Sequence, residues 1–132
     1  MSHGTTEKIA EFAASISFND IPTHVKNSTI ALLVDSLACA LAGHQGEETN
    51  QLHAMASALG QSEESSVIGG KQISLAGATM MNGYLITAVT MCAVQGATLT
   101  HITPEVVPPA LAIAERDNLS GAALLASLAA GF

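Results

Sequence analysis

Apolar residues recur along this chain at helical rather than alternating spacing. Ile9, Phe12, Ala13 and Ile16 fall at i, i+3, i+4 and i+7, one apolar stripe over about residues 6–17. Glu7 stands in the first turn, where the helix dipole favours an acid. Asn19-Asp20-Ile21-Pro22 then reads as a turn and cap, with Asp20 as N-cap and Pro22 in the first turn of a second helix reaching about Ala42. Along that helix Ile30, Leu33, Val34, Leu37 and Leu41 make one stripe, while Leu32 and Cys39 lie opposite. A helix apolar on both sides is expected to be buried. Asp35, in its middle, then needs a hydrogen-bond partner. Gly43 supplies the stop.

A third helix is expected over about residues 47–59, ended by Gly60, with a polar loop after it. Val67-Ile68-Gly69-Gly70-Lys71-Gln72-Ile73 reads as a small hairpin turning at the glycine pair. The pair lacks the Gly-Lys-Ser/Thr ending of a phosphate loop. The fourth helix is expected from about Ser74 to Met91 or slightly beyond, followed by a Thr-rich loop from about Gln95 to Thr103. Pro108 and Pro109 are placed in the first turn of a fifth helix ending near Glu115, where missing N–H groups do little harm. Ser120 can cap a sixth helix carrying Leu124, Leu125 and Leu128. The fold class is therefore all-α: a packed array of about six helices with a minor hairpin near residues 66–74.

Composition sharpens this picture. The 132 residues suffice for one domain; 48% are hydrophobic, 11% charged and 3% aromatic. A core of Ala, Leu, Ile, Val and Met allows close helix–helix approach. So low a charged share leaves apolar surface for a partner or further chain to cover. The sixth helix is apolar up to Phe132, which reads as truncation or as a contact surface. A homo-oligomer or a missing C-terminal portion is the expectation.

Four basic residues against eleven acidic ones, net −7, argue against nucleic acid and anionic membrane surfaces. No Asp, Glu, Lys or Arg lies between Lys71 and Glu105, but Asn82, Thr87, Thr90, Gln95 and Thr98 interrupt that stretch, so a buried helix and polar loop are expected there rather than a span. Cys39 and Cys92 match no metal spacing and read as free thiols of a reducing, cytoplasmic compartment. Asn27-Ser28-Thr29 and Asn118-Leu119-Ser120 fit the glycosylation sequon but follow no secretory signal.

Catalytic machinery is sparse. There is no Gly-x-Ser-x-Gly elbow, no His-Glu-x-x-His helix and no dinucleotide fingerprint, and no metal or cofactor is expected. His24, His44 and His53 read as surface histidines. His101 differs, because it lies in a loop between two buried helices, flanked by Thr100 and Thr103. An imidazole there can take or give a proton near neutral pH.

Several segments resemble, in order, the MmgE/PrpD family of 2-methylcitrate dehydratase and its relatives. They are Asp20-Ile21-Pro22, Leu33-Val34-Asp35-Ser36-Leu37, Ala40-Leu41-Ala42-Gly43 and Ser66-Val67-Ile68-Gly69. Ala76-Gly77-Ala78-Thr79-Met80-Met81-Asn82-Gly83 resembles the helix with the family's Asn-Gly pair. Val106-Val107-Pro108-Pro109-Ala110-Leu111-Ala112-Ile113-Ala114-Glu115 is the closest match. The resemblance implies a helical domain completed elsewhere by an α/β lid that has no counterpart here. It implies cofactor-independent chemistry on small polycarboxylates, with proton movement beside a carboxylate, in enzymes that are usually dimeric.

Many members follow the Asn-Gly helix with His, then Asp-Phe-Asp-Asp-Thr, then a loop containing His-Pro. Counted from Asn82, the first His falls at Thr87 and the acidic run at Thr90-Met91-Cys92-Ala93. The loop histidine corresponds to His101, with Ile102 in place of proline. One proton-transfer residue thus remains and its acidic partner is gone. Thr103 to Pro108 resembles the Thr-Pro-Glu-Val-Val-Pro-like segment of some branches of the family. The expected site is His101 for proton transfer, with Thr100, Thr103 and Asn82 toward a small carboxylate substrate, His101 standing at the mouth of a concavity near the Asn82-Gly83 helix. The expected activity is a lyase or isomerase step on a small di- or tricarboxylate in a longer or assembled protein. The alternative is a non-catalytic helical module derived from such an enzyme.

Overall fold

The computed structural model describes residues 4–132. Among them the elements run α1 (Thr5–Ser15), a 3-10 turn (Phe18–Asp20), α2 (Thr23–Gly43), α3 (Thr49–Ala58), β1 (Ser65–Ser66), β2 (Gln72–Ile73), α4 (Leu75–Thr87), α5 (Thr103–Arg116) and α6 (Gly121–Gly131). Strands β1 and β2 pair antiparallel, Ser65 with Ile73 and Ser66 with Gln72. The all-α array with a small hairpin is as the sequence leads one to expect.

Helix α4 is central, packed by α2, α3 and α5, with α6 closing over α2 and α5. Ser74 caps it, its hydroxyl accepting from the Gly77 amide, and Ser120 caps α6 in the same way from Ala123. The core gathers Met81, Leu85 and Ile86 of α4 with Cys39, Ala40, Val67, Val107 and Leu128. Small residues let the backbones meet. A methyl on Gly43 would stand 2.0 Å from the Leu85 carbonyl oxygen, so α2 and α4 touch main chain to main chain.

Helix α2, expected to be buried on both faces, is buried on one only. Its buried face is Thr29, Ser36, Cys39, Ala40 and Gly43. Ile30, Val34 and Leu41 of the apolar stripe are exposed. Bulky side chains would hold α2 away from α4, so the small face wins. Ser36 satisfies its buried hydroxyl by donating to the Leu32 carbonyl at 2.7 Å. Asp35 is exposed on the outer side, so the partner expected for it is not required.

Three further expectations are corrected. Asp20 does not cap α2. Its carboxylate accepts from the Ser17 amide and hydroxyl and closes the 3-10 turn, leaving Pro22 at the head of α2. Helix α4 ends at Thr87, four residues short of Met91. Thr90 turns the chain at φ 52, and Cys92 is buried in the core just beyond it. Burial of Cys92 outweighs continuation through the β-branched pair Val89 and Thr90. Helix α5 begins at Thr103 with Pro104 in the first turn, so Pro108 and Pro109 lie inside it. A proline has no N–H for the carbonyl four residues back. The Pro104 carbonyl, left without Pro108 as a donor, lies at the α4 crossing, 3.2 Å from where a Gly83 methyl would stand.

By length and composition α2 is also long and apolar enough to cross a membrane, with a mean hydropathy of 1.4 over its best window. In this fold it packs on α4, α5 and α6. A helix packed in a soluble core meets the same criterion, so the criterion decides nothing here.

Candidate functional site

Residues 88–102 join α4 to α5 and carry the chemistry-bearing histidine. An isolated bridge between Gln95 and Thr100 closes the tip, and the Gln95 side-chain oxygen accepts from the amide and hydroxyl of Thr98. Leu99 sits at φ 54 and is 78% exposed. The loop's buried anchor is Cys92. Its Sγ lies 3.3 Å from Nδ1 of His101 and 3.9 Å from the Thr87 hydroxyl at the end of α4. His101 is itself exposed, so the ring is held at Nδ1 on the protein side.

Thr103 opens α5 two residues on. It is fully buried and its hydroxyl has no hydrogen-bond partner. Among the described residues the buried Thr79 hydroxyl shares this feature. Thr100 is exposed, its hydroxyl donating weakly to the Thr98 carbonyl at 3.4 Å. A cavity of about 150 Å³ beside the loop is lined by Leu32, Ala93, Val94, Gln95, Ile102 and Phe132. Its wall includes the chain neighbours of Cys92 and His101 but not the imidazole.

Asn82 belongs to a different place. It is buried, accepts from the Ile68 amide at 2.8 Å and donates to the Ser66 carbonyl at 3.0 Å. Both ends of its amide therefore hold the hairpin to α4. Glu115 of α5 grips the same hairpin, accepting from the Ser66 amide (2.6 Å), the Ser66 hydroxyl (2.6 Å) and the Gln72 amide group (2.9 Å). Burial pushes the Glu115 carboxyl up, but the Ser66 and Gln72 bonds outweigh it and hold the group below its ordinary value. Asn82 and Glu115 border one depression of about 420 Å³, and His101 is not among its walls. The structure thus keeps His101 and Thr103 near each other along the chain and assigns Asn82 to a separate cavity.

The profile of the MmgE/PrpD N-terminal domain matches residues 7–132. The chain belongs to the MmgE/PrpD family. That relates it to the MmgE/PrpD dehydratases, which are lyase-type enzymes. No curated protein and no solved structure matches the chain.

Set against the MmgE/PrpD motif, the geometry adds a residue the sequence reading missed. On the correspondence that the resemblance implies, Thr87, Cys92 and His101 would take, respectively, the place of the first histidine, a place within the acidic run and that of the loop histidine. In the fold these three side chains touch in series. Cys92 was passed over because a thiol is not a carboxylate. The signal available was its position, inside the segment where a partner for the loop histidine is expected. Cys39, the other free thiol, is also buried; burial and then the Asp35 charge push it up, which keeps it protonated and inert.

Cationic groups are scarce at this end of the molecule. Arg116 is tied to Asp117 at 2.7 and 2.9 Å, and Lys26 lies 4.2 Å over the Phe18 ring. Lys71 sits in the hairpin turn. Among the described residues no group of three or more His, Cys, Asp or Glu side chains is arranged to hold a metal ion.

Proposed function

We propose that this chain is the helical portion of a cofactor-independent lyase or isomerase that moves a proton at a carbon beside a carboxylate. The substrate class is a small di- or tricarboxylate. The observation that most supports this reading is an exposed His101 ring, fixed from behind by a buried side chain, close in sequence to the partnerless Thr103 hydroxyl. His101 transfers the proton. Thr103, buried at the start of α5 two residues on, is the candidate for a hydrogen bond toward the substrate carboxylate. Thr100 is the weaker second contact, and Asn82 acts through the hairpin rather than on substrate.

Proton abstraction of this kind also needs a second acid–base group and cations to hold the carboxylates. Residues 90–93 carry no carboxylate, and no Lys or Arg lies between Lys71 and Arg116. Loss of one acid–base partner costs roughly two to four orders of magnitude in rate. Residues 1–132 alone should therefore bind but not turn over. The test is NMR titration with cis-aconitate and 2-methylcitrate, with solvent proton exchange followed in the same tubes. We expect millimolar acid to shift the His101 ring and Thr103 signals, with no exchange above the buffer blank. Absence of those shifts would remove the site, and exchange that vanished in His101→Ala would overturn the claim that partners are lacking.

A second reading, a helical interaction module, is favoured by the exposed Ile30, Val34 and Leu41 of α2 and Met91 and Leu99 of the loop. On either reading we expect a homodimer or larger assembly. Sedimentation showing a stable monomer at micromolar concentration would exclude it.

A further inference from the structure

The contacts around Cys92 bear on which nitrogen of His101 carries the proton, and this inference rests on the reading of His101 as the proton-transfer residue. A thiol is both a weak donor and a weak acceptor. Sγ of Cys92 has two polar neighbours, the Thr87 hydroxyl oxygen at 3.9 Å and Nδ1 of His101 at 3.3 Å. The thiol has one proton to give. Given to the Thr87 oxygen, that proton leaves the sulfur lone pairs for an N–H from the ring. A neutral imidazole has one N–H; if it points from Nδ1 to sulfur, Nε2 is left with a free lone pair.

We propose that Cys92 is a positioning residue that holds neutral His101 in the Nδ1–H form through a His101–Cys92–Thr87 chain, presenting Nε2 outward as a base. Three observations carry it. Cys92 is 5% exposed, so water does not compete for its sulfur. The chain ends at Thr87, the last residue of α4, so the sulfur is referred to a rigid helix and not to the loop. His101 is exposed while its Nδ1 is engaged, so the ring can meet a ligand through Nε2. Free histidine in water favours the opposite form, with the proton on Nε2, so the fold must impose this one.

The experiment needs no substrate. The chain is labelled with ¹⁵N at histidine, the His101 signals are assigned by their loss in His101→Gln, and the two ring nitrogens are read at a pH where the ring is neutral. The Nδ1–H form is expected to dominate in the unaltered chain. It should give way to the Nε2–H form in Cys92→Ala and persist, weakened, in Cys92→Ser, which keeps a donor and acceptor. Thr87→Val should weaken it without touching the ring directly. Dominance of Nε2–H in the unaltered chain overturns the proposal, as does an Nδ1–H form that survives Cys92→Ala. Hydrogen-bonded amide shifts of α4 and α5 report whether each variant is folded. Should Cys92→Ala unfold, the proposal is decided by Cys92→Ser with Thr87→Val. A tautomer result of either sign is independent of whether carboxylates bind, so it separates this inference from the proposed function.

Discussion

The hairpin after α3, with its serines and glycines, and the loop after α4, with its threonines, are both connections between helices, and the fold treats them in opposite ways. Three helices reach into the hairpin. His44, the C-cap of α2, donates from Nε2 to the Ile68 carbonyl at 2.7 Å, Asn82 of α4 engages Ser66 and Ile68, and Glu115 of α5 takes the Ser66 amide and hydroxyl. The Ser65 hydroxyl adds a bond to the Ala112 carbonyl at 2.9 Å. The loop is secured mostly by itself, through Gln95, Thr98 and Thr100, and is tied to the core at Cys92. Met91 and Leu99 stand out from it, 74% and 78% exposed. The lesson concerns polar residues. Where both ends of a buried amide are met from one segment, as at Asn82, the residue is a fastening; where a segment bonds mainly to itself, as through Gln95 and Thr98, its outer residues stay free to meet solvent.

The largest effect that would break this contrast is at Asn82. Asn82→Ala leaves the Ile68 amide and the Ser66 carbonyl without partners at a part-buried place. Each orphaned group costs about 1–3 kcal/mol, so we expect about 2–4 kcal/mol of lost stability. Urea unfolding measures it as a shift in midpoint at constant slope. Thr98→Ala in the loop should shift stability by no more than about 0.5 kcal/mol. Equal losses at the two positions would mean that the loop is fastened as firmly as the hairpin.

Glu115 sharpens the contrast by pH. Its folded value is depressed. Its contribution is therefore fully present above the ordinary glutamate value of about 4.3 and is lost as pH falls through the lower folded value. Glu115 is exposed, so the charge-assisted bonds are discounted for solvent screening to about 1 kcal/mol. Glu115→Gln should lose that amount at pH 7 and flatten the acid limb of the stability curve. Unfolding midpoints taken between pH 3 and pH 7 test both parts, and an acid limb as steep in the variant as before would place the linkage on other carboxylates.

What could be read from the sequence divides along the same line. Helix number, the Ser120 cap of α6, and the hairpin at the glycine pair, where Gly69 takes φ 76, follow from local chemistry within a few residues. The loop histidine was also legible, because a polar loop between two apolar helices is a local pattern. The face of α2 was not, because it is set by Gly43 meeting the Leu85 main chain, 42 residues apart in the sequence. Nor was the work of Asn82, whose partners lie 14 and 16 residues back, or the end of α4, where burial of Cys92 overrides helix periodicity. Long-range packing decides these, and one sequence carries no record of which residues meet.

The smallest effect is the most specific to the loop. Leu99 holds a left-handed backbone, φ 54, with its side chain 78% exposed. A branched L-residue in that conformation costs about 1–2 kcal/mol, and no buried contact offsets it. Glycine adopts the conformation without that cost but has more freedom to lose from the unfolded chain, roughly 0.5–1 kcal/mol. The two terms leave a net gain of about 0.5 kcal/mol for Leu99→Gly, read as a slightly higher thermal midpoint. Hydrophobic burial of Leu99 in an assembly would reverse the sign, because a buried leucine contributes about 1.5–3 kcal/mol. The measurement is therefore made at two protein concentrations. A gain at both identifies Leu99 as strained and solvent-facing. A loss that grows with concentration identifies it as a contact between chains, and the loop would then be fastened after all, from outside the molecule.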